Sequence, residues 1–517
     1  MRESTKPPAS AAEPKRFDWP LAYEAESLIR QRIAAFLGTN TFARELACRM
    51  QDETGTDFFE WVDHIIVSPD DEAALCAGGF VRDSKAETPH GEIVLEHPRA
   101  TLPRVLLRRG NPPLTPPGRG TGEPCPSVVA IKPEFIADFI ARNPPLTPPP
   151  PSPPASARPR RNNPLRSRDS AARVEAGSRG TVEPEGEPRS RYRRVLIGEE
   201  NGTRLEAVER RAYRGFVPAK LKRGELEALV KAQELFRTRP RHFSNDAEGF
   251  AIANRILNRA IKLVGRDVAC HLFFEQERAY WESRNRAGRL QKFRQDALGL
   301  GWGNHDHHTF RCSRAHFADL IRFLDRLGFE KRERFYAGAE AGWGAQISEQ
   351  PATGIVIFAD VDLTPDETEI DFSVKKLPPA TSLGTVGLWV GLHGESFLET
   401  GMHHLEARFD FLTLRDQLQQ QDVNLMKPFS DFAFLRQAFT EGERWPVRRE
   451  RAERLLATGL ISRAQCDQFV REGAIGSHLE NLQRHGGFKG FNQKAVSVII
   501  SATDPRKQPL NHVAAAA

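Results

Sequence analysis

Two stretches of the chain alternate polar and apolar side chains with a period of two residues, which predicts β-strands with one polar face each. The first stretch, residues 303–312, places on its polar face His305, His307, Thr309 and Arg311. The second, residues 401–411, places on its polar face His404, Glu406, Arg408 and Asp410. In each strand a histidine is followed four residues later by an arginine on the same face. The two strands are therefore predicted to form two halves of one site.

The elements around these strands recur in the same order. After the first strand, an amphipathic run predicts a helix over residues 317–329, and an apolar run predicts a strand over residues 354–363. After the second strand come a predicted helix near residues 412–420, a helical excursion around residues 448–471 and a β-rich segment over residues 476–501. A strand, a helix and further strands, occurring twice, indicate an α+β fold.

The N-terminal half is predicted to be a separate α/β domain interrupted by low-complexity inserts. We expect residues 1–20 to be disordered, residues 21–235 to form this domain, residues 236–505 to form a metal-binding catalytic domain, and residues 506–517 to be a tail. The inserts lie at about residues 109–126 and 143–191 and are rich in Pro, Ser and Arg. Such segments bury too little apolar surface to offset the entropy of ordering, so they are predicted to be disordered.

One run in the N-terminal half is similar to the first histidine-bearing strand. Val62-Asp63-His64-Ile65 lies in a strand-like stretch, and our hypothesis is that it is a degenerate copy of that strand. The helix that should follow is short and is interrupted by Gly78-Gly79.

The net charge of +6 does not indicate a basic binding domain, because the charge is localised. Between Arg158 and Arg194 there are eleven Arg, no Lys and five acidic residues, a surplus equal to the charge of the whole chain. The rest of the chain is neutral, which argues against nucleic acid as a partner.

The spacing of the cysteines and the lack of long apolar segments indicate the cellular compartment of the protein. The six cysteines are scattered without a CxxC pair, which argues against a disulfide framework and favours a reducing environment. No signal-peptide core and no run of about 18 apolar residues occurs. We therefore expect a cytoplasmic protein without a membrane partner. These patterns leave the oligomeric state open.

Several short motifs together resemble one known family. They are Arg311 four residues after His307, a helix ending in Leu327-Gly328-Phe329, a Phe-Tyr-rich turn, and a second strand with Arg408 four residues after His404. Over about residues 240–505 this combination resembles the 2-oxoadipate dioxygenase/decarboxylase family of the vicinal oxygen chelate superfamily. The resemblance implies paired βαβββ modules forming a half-open barrel, with helical decorations. It also implies a non-haem Fe(II) enzyme that converts a 2-oxo acid and O₂ to a 2-hydroxy acid one carbon shorter and CO₂.

The resemblance also implies roles for individual residues. His307 and His404 match the two metal-binding histidines, and Glu480 matches the glutamate of a Glu-x-x-Gln-Arg segment that supplies the third ligand. Arg311 matches the catalytic arginine that holds the substrate carboxylate, and Arg408 is a further candidate for substrate binding. The third ligand stays open between Glu480 and five other acidic residues, Glu349, Asp360, Asp362, Glu441 and Glu443.

Neighbouring polar residues are expected to orient these ligands by hydrogen bonding. The candidates are His305, Asp306, His308, His403, Glu406 and Asp410. Two imidazoles and a carboxylate suit Fe(II), with Zn, Ni and Mn as alternatives, and leave coordination positions for a 2-oxo acid and O₂. Two other functions remain open, namely a redox-silent lyase or isomerase of the same superfamily and a metal-free binding or scaffold protein.

Overall fold

The structure is a computed structural model that describes residues 18–109, 124–144, 183–339, 341–492, 504 and 506. Its helices are α1 (Tyr23–Thr39), α2 (Thr41–Arg49), α3 (Glu72–Ala77), α4 (Ile136–Arg142), α5 (Glu225–Arg237), α6 (Asp246–Val264), α7 (Arg266–Glu282), α8 (Arg286–Ala297), α9 (Phe317–Arg326), α10 (Thr385–His393), α11 (Phe411–Gln419), α12 (Arg449–Ala457) and α13 (Arg463–Glu472). Single turns of 3-10 or π-helix cover Met50–Thr54, Phe58–Trp61, Pro69–Asp71, Pro365–Glu369 and Ser396–Thr400.

The strands form two mixed sheets. They are β1 (Val62–Val67), β2 (Val81–Arg82), β3 (Ile93–Glu96), β4 (Arg104–Leu107), β5 (Val128–Ile131), β6 (Tyr192–Glu200), β7 (Thr203–Arg210), β8 (His305–Arg311), β9 (Glu330–Tyr336), β10 (Trp343–Gln350), β11 (Ile355–Asp362), β12 (His404–Arg408), β13 (Ser430–Phe432), β14 (Leu435–Phe439), β15 (Glu443–Trp445) and β16 (Ala474–Arg484). The N-terminal sheet has the order β2-β3-β4-β1-β5-β7-β6. The C-terminal sheet has the order β13-β14-β16-β12-β8-β11-β10-β9, with β15 on β16.

The C-terminal sheet consists of two βαβββ modules side by side. In the first module β8 is followed by α9 and then by β9, β10 and β11, and β11 returns to lie parallel to β8. In the second module β16 returns in the same way to lie parallel to β12. The two leading strands, β8 and β12, pair antiparallel at the centre. The predicted α+β fold with paired βαβββ modules is thus confirmed. The sheet does not close into a barrel within the described part of the chain.

The N-terminal sheet repeats this order. Strand β4 returns to lie parallel to β1 after the short helix α3 and strands β2 and β3, and β1 pairs antiparallel with β5 at the centre. The run at residues 62–65 therefore leads a module like that of β8, as the copy hypothesis requires. The partner strand β5 differs from β12 in chemistry, because it presents Ala130 opposite His64 and reads Val-Val-Ala-Ile.

The alternation of side chains along β8 and β12 sets which face of the sheet is buried against helices. Phe310, Cys312, Leu405 and Ala407 join one hydrophobic core with residues of helices α5 to α9. The opposite face keeps His307, His404 and Glu406 together, because successive side chains of a strand point to opposite faces. These three residues therefore share one face of the sheet, as the alternation predicts.

The predicted inserts and ends lie mostly outside the described residues, as does the β-rich run at residues 495–500. Two described pieces are more ordered than predicted. Trp19 donates a hydrogen bond from Nε1 to Glu333 at 3.2 Å. Residues 183–191, predicted to lie within the second insert, include Ser190 at 1% exposure, and Glu185 forms a β-bridge with Arg194. This end of the segment is ordered through its contact with β6, since Glu185 bridges to Arg194 of that strand.

The predicted division after residue 235 falls inside helix α5. The buried face of α5, with Leu229, Ala232 and Phe236, belongs to the same core as α6 and α7. We propose that the division lies before α5, since a helix and its packing partners fold as one unit. In the described part of the chain, no helix combines the length and apolar character needed to cross a membrane.

Candidate metal centre

The register of three neighbouring strands brings the predicted ligands to one face. Strand β12 lies between β8 and β16, and His404 is opposite Thr309 on one side and His478 on the other. Two residues along the strand, Glu406 is opposite Glu480. Glu480 lies on strand β16, so its carboxylate reaches the same face.

The first part of the cluster is centred on His307. Its Nδ1 contacts Glu406 Oε1 and lies 2.8 Å from Asp306 Oδ1. Within the described residues, Asp306, His307 and Glu406 are the group whose donor atoms all lie within 4.8 Å of one another. Asp306 and Glu406 are expected to orient the ligands by hydrogen bonding, and both carboxylates lie against His307.

The second part is centred on His404 and is joined to the first through Gln437. His404 Nε2 lies 3.1 Å from Glu480 Oε2 and 2.8 Å from Thr309 Oγ1. Gln437 Nε2 donates to Glu406 Oε2 at 2.9 Å and to Glu480 Oε1 at 3.0 Å. The two parts therefore form one continuous cluster, which we call the His307–His404 cluster: Asp306, His307, His404, Glu406, Gln437 and Glu480.

Burial and close approach of the two glutamates shift their pKa values in opposite directions. Burial opposes ionisation of Glu406, but the positive charge and hydrogen bond of His307 outweigh it and lower the pKa of Glu406 to about 2. Burial, together with the charge of Glu406, raises the pKa of Glu480 well above its usual range. Burial lowers the pKa of His404 well below its usual range, so this imidazole is neutral at pH 7. A neutral imidazole next to carboxylates is the form in which histidine binds metals.

The donor set fits a divalent cation. The Nδ1 of His404 and the Oε1 of Gln437 are buried without a hydrogen-bond partner among the described residues. Two buried carboxylates held side by side repel each other, and a bound cation would relieve that repulsion in place of a proton. Imidazole nitrogens and carboxylate oxygens together suit Fe(II), Mn, Zn or Ni.

Arg311 lies on the same face of β8, four residues beyond His307. It is 6% exposed, and neither an ion pair nor a hydrogen bond holds its side chain within the described part of the chain. Its Nε is buried without a partner, and its Cζ lies 5.7 Å from the centre of the Trp389 ring. Burial lowers the pKa of Arg311 to about 10. A buried guanidinium without a counter-ion in contact is suited to bind an anion.

Arg408, the other predicted substrate-binding arginine, is already engaged. Its Nη1 lies 3.1 Å from Glu60 Oε2, and its Nε lies 3.7 Å from Asp306 Oδ2. Because Glu60 precedes β1, this side chain links the two sheets. It is therefore less available to a substrate than Arg311.

Strict alternation mispredicts the position of His305. The β8–β12 pairing shifts register between Leu405 and Ala407, so His305 lies opposite Ala407. Its ring centre is 5.2 Å from that of His308, which packs against Phe274. A register shift changes which face a side chain takes, and alternation alone cannot reveal it.

The two remaining candidate histidines pack outside the cluster. His308 lies against the Phe274 ring, with 5.3 Å between ring centres, and 3.4 Å from an Arg278 nitrogen. His403 Nδ1 lies 3.0 Å from the carbonyl oxygen of Gly476. Asp410 caps helix α11 by accepting the N–H of Thr413, so it too acts elsewhere.

The rival third ligands are placed away from the cluster. Asp362 accepts backbone N–H groups at the start of α10, and Asp360 lies opposite Arg311 across β8 and β11. Glu349 Oε2 pairs with Lys489 at 3.0 Å. Glu443 accepts the N–H of Arg286, and Glu441 accepts from Asn424.

Sequence reasoning missed two residues of the site. Gln437 bridges the glutamates from strand β14, and no motif marks it. Arg484 Nη2 lies 3.5 Å from Glu406 Oε1 and 3.6 Å from Asp306 Oδ1. Arg484 closes the Glu-x-x-Gln-Arg segment, so that motif contained a signal for it.

A cleft of about 440 Å³ between the two sheets opens onto one end of the cluster. Asp306, His307 and Arg484 line it from the C-terminal sheet, and Asp63 and Lys132 line it from the N-terminal sheet. Its volume is within the range of small-molecule sites, about 300–1,000 Å³.

Comparison with known proteins gives distant structural likenesses alone. No protein-family model matches the chain, and no curated protein matches it. A methylmalonyl-CoA epimerase from Mycobacterium tuberculosis is 15% identical over 35% of this chain and 88% of its own, with a TM-score of 0.21. A glyoxalase-superfamily protein from Ralstonia eutropha JMP134 is 13% identical over 51% and 97%, with a TM-score of 0.29.

A variant of 4-hydroxymandelate synthase from Streptomyces coelicolor is 13% identical over 87% of this chain and 99% of its own, with a TM-score of 0.25. Because each of these TM-scores is below 0.5, the fold is assigned from the strand order of this chain and not from the likenesses.

Proposed function

We propose that this protein is a metal-dependent dioxygenase that decarboxylates a small 2-oxo dicarboxylic acid such as 2-oxoadipate. One O₂ would be consumed per turnover, and the products would be CO₂ and a 2-hydroxy acid shorter by one carbon. The observation that supports the proposal most strongly is the His307–His404 cluster. It joins two imidazoles to the carboxylates of two neighbouring strands in a buried site.

His307, His404 and Glu480 would hold the metal, as the resemblance implies, and Glu406 contacts His307 and lies opposite Glu480. Bound Fe(II) would supply the electrons that allow spin-paired substrates to react with O₂. Asp306 would hold the imidazole of His307 in one orientation through the contact with Nδ1. Arg484, beside Glu406 and Asp306, would limit the negative charge of the site.

Arg311 would bind the carboxylate at the 2-oxo end of the substrate. Its guanidinium can donate two parallel hydrogen bonds to a carboxylate, and its buried position strengthens them. The apolar surroundings of Phe358 and Phe439, whose rings lie 4.9 Å from His307 and 5.0 Å from His404, would exclude bulk water from the reacting atoms.

The test is metal content after anaerobic purification, followed on the same sample by O₂ uptake with 2-oxoadipate. We expect about one iron per chain and uptake that depends on the substrate. Both should be lost in His307→Ala and His404→Ala, because each variant removes one imidazole ligand. The matched control is His242→Ala, at an exposed histidine that pairs with Glu399 outside the cluster.

Other outcomes would support the other functions. Stoichiometric zinc without uptake would contradict the dioxygenase and favour a redox-silent lyase or isomerase. Equal metal content in the wild type, His307→Ala and His404→Ala would exclude the cluster as the metal site. The absence of metal from all three proteins would favour a metal-free binding or scaffold protein.

A further inference from the structure

The cleft between the sheets has a surplus of positive charge. Nine Lys and Arg side chains line it, against six Asp and Glu side chains. The acidic residues from the N-terminal sheet already have cationic partners. Asp63, for example, accepts two hydrogen bonds from Arg210, at 2.7 Å and 2.9 Å.

Among the described residues, Lys132 is a cation of this cleft whose ammonium group has no ion-pair partner. It follows β5 and is half-buried, and its backbone N–H is bonded to Trp61. Among the residues that the structure describes, no carboxylate or carbonyl oxygen accepts a hydrogen bond from its ammonium group. By contrast Lys489, which lines the same cleft, lies 3.0 Å from Glu349.

The surroundings of Lys132 favour a bound anion. Burial lowers the pKa of Lys132 to about 8; the nearby Asp63 raises this pKa, and Arg408, Arg210 and Arg104 lower it. A partly buried ammonium group among other cations is stabilised when an anion binds beside it. The cleft connects this position to His307 and Asp306.

We infer that the cleft holds the distal carboxylate of a dicarboxylic 2-oxo acid, and that Lys132 is the residue that recognises it. The inference rests on the proposed function, because the 2-oxo end of the same molecule would lie at the His307–His404 cluster. It also gives the N-terminal sheet a role, since it supplies the charge that selects a dicarboxylic substrate.

The experiment compares Lys132→Met with the wild-type holoprotein, purified and titrated without O₂. The calorimetric probes are 2-oxoadipate and its longer homologues, each beside the monocarboxylic 2-oxo acid of the same chain length. Lys132→Met should raise the Kd of the best dicarboxylic acid about tenfold, because a charge-assisted hydrogen bond is lost. The Kd of the matched monocarboxylic acid should stay within about twofold.

Two further variants serve as controls for the loss of the Lys132 charge. Lys132→Arg retains the charge and should restore most of the selectivity for the dicarboxylic acid. Lys489→Met removes a lysine from the same cleft whose charge is already paired, and should leave the selectivity unchanged. An unaltered Kd in Lys132→Met, or an equal loss for both classes of acid, would overturn the inference.

Parallel O₂-uptake measurements distinguish this inference from the proposed function. Selective loss of dicarboxylate binding without O₂ uptake in any sample would leave the role of Lys132 standing and contradict the dioxygenase. O₂ uptake by the wild type, together with unaltered selectivity in Lys132→Met, would support the dioxygenase and contradict the role of Lys132.

Discussion

At the scale of single residues, Arg311 and Arg408 differ in whether their buried guanidinium groups have ion-pair partners. Arg311 and Arg408 occupy equivalent positions in their strands, four residues after a histidine. Arg408 pairs with Glu60 and approaches Asp306, whereas no ion pair holds Arg311 in the described part of the chain. Their different roles depend on contacts from distant segments, which their local sequences do not contain.

The buried carboxyl group of Asp360, which lies opposite Arg311, should make the stability of the folded protein depend on pH. Burial raises the pKa of Asp360 to about 7, more than Arg311 lowers it. Between the unfolded value near 4 and this folded value, the folded state holds a proton that the unfolded state releases. The contribution of Asp360 to stability is therefore fully present below about pH 4 and is lost as the pH rises towards 7.

We expect Asp360→Asn to become more stable relative to the wild type as the pH is raised from 4 to 7. The measurement is the free energy of unfolding from urea titrations at several pH values. Asp416→Asn, at an exposed residue of α11, is the control and should show no such trend. A constant difference between Asp360→Asn and the wild type across this range would contradict the assignment.

At the scale of elements, the turn before β8 carries a close contact between the two sheets. A Cβ at Gly303 would meet the carbonyl oxygen of Lys132 and would lie 2.7 Å from the ring of Trp61. Glycine is needed here because two backbones approach each other, not because of an unusual backbone angle. The sequence Gly299-Leu300-Gly301-Trp302-Gly303 is typical of a turn, but it does not show what that turn contacts.

Gly303→Ala should destabilise the protein by about 1–3 kcal/mol, because the added methyl group forces the strand ends apart. Gly38→Ala is the matched control, since a Cβ at Gly38 meets nothing within 4 Å and the residue lies in helix α1. Alanine there should be neutral or stabilising. Denaturant titration of both variants tests the contrast, and equal stability of the two would refute it.

At the scale of the whole molecule, two sheets of the same module order meet at their strand ends and enclose the cleft. Glu60, at the start of the N-terminal sheet, and Arg408, at the end of β12, form a link across this junction with 3.1 Å between Oε2 and Nη1. Their side chains are 9% and 20% exposed, so water screens the pair only partly.

A double-mutant cycle of Glu60→Gln and Arg408→Met should therefore give a coupling energy of about 1 kcal/mol or more in unfolding experiments at pH 8. The exposed helical pair Arg49 and Glu53, with side chains 46% and 44% exposed, should give a smaller coupling. Additive effects of the Glu60 and Arg408 substitutions would mean that this link does not hold the sheets together.

Much of the C-terminal architecture could be predicted from the sequence. Alternation along β8 and β12 placed His307, His404 and Glu406 on one face, because the direction of a side chain in a strand is a local property. The recurrence of strand, helix and strands predicted the α+β modules for the same reason. The suspected copy at residues 62–65 also leads a module of the same strand order.

Only the tertiary structure decided how these pieces meet. The register shift beside Ala407 changed the position of His305, and the pairing of β16 with both β12 and β14 brought Glu480 and Gln437 to Glu406. The end-to-end approach of the sheets engaged Arg408 and left Lys132 facing the cleft. Strand register and sheet approach arise from contacts between residues far apart in the chain, so a local pattern does not contain them.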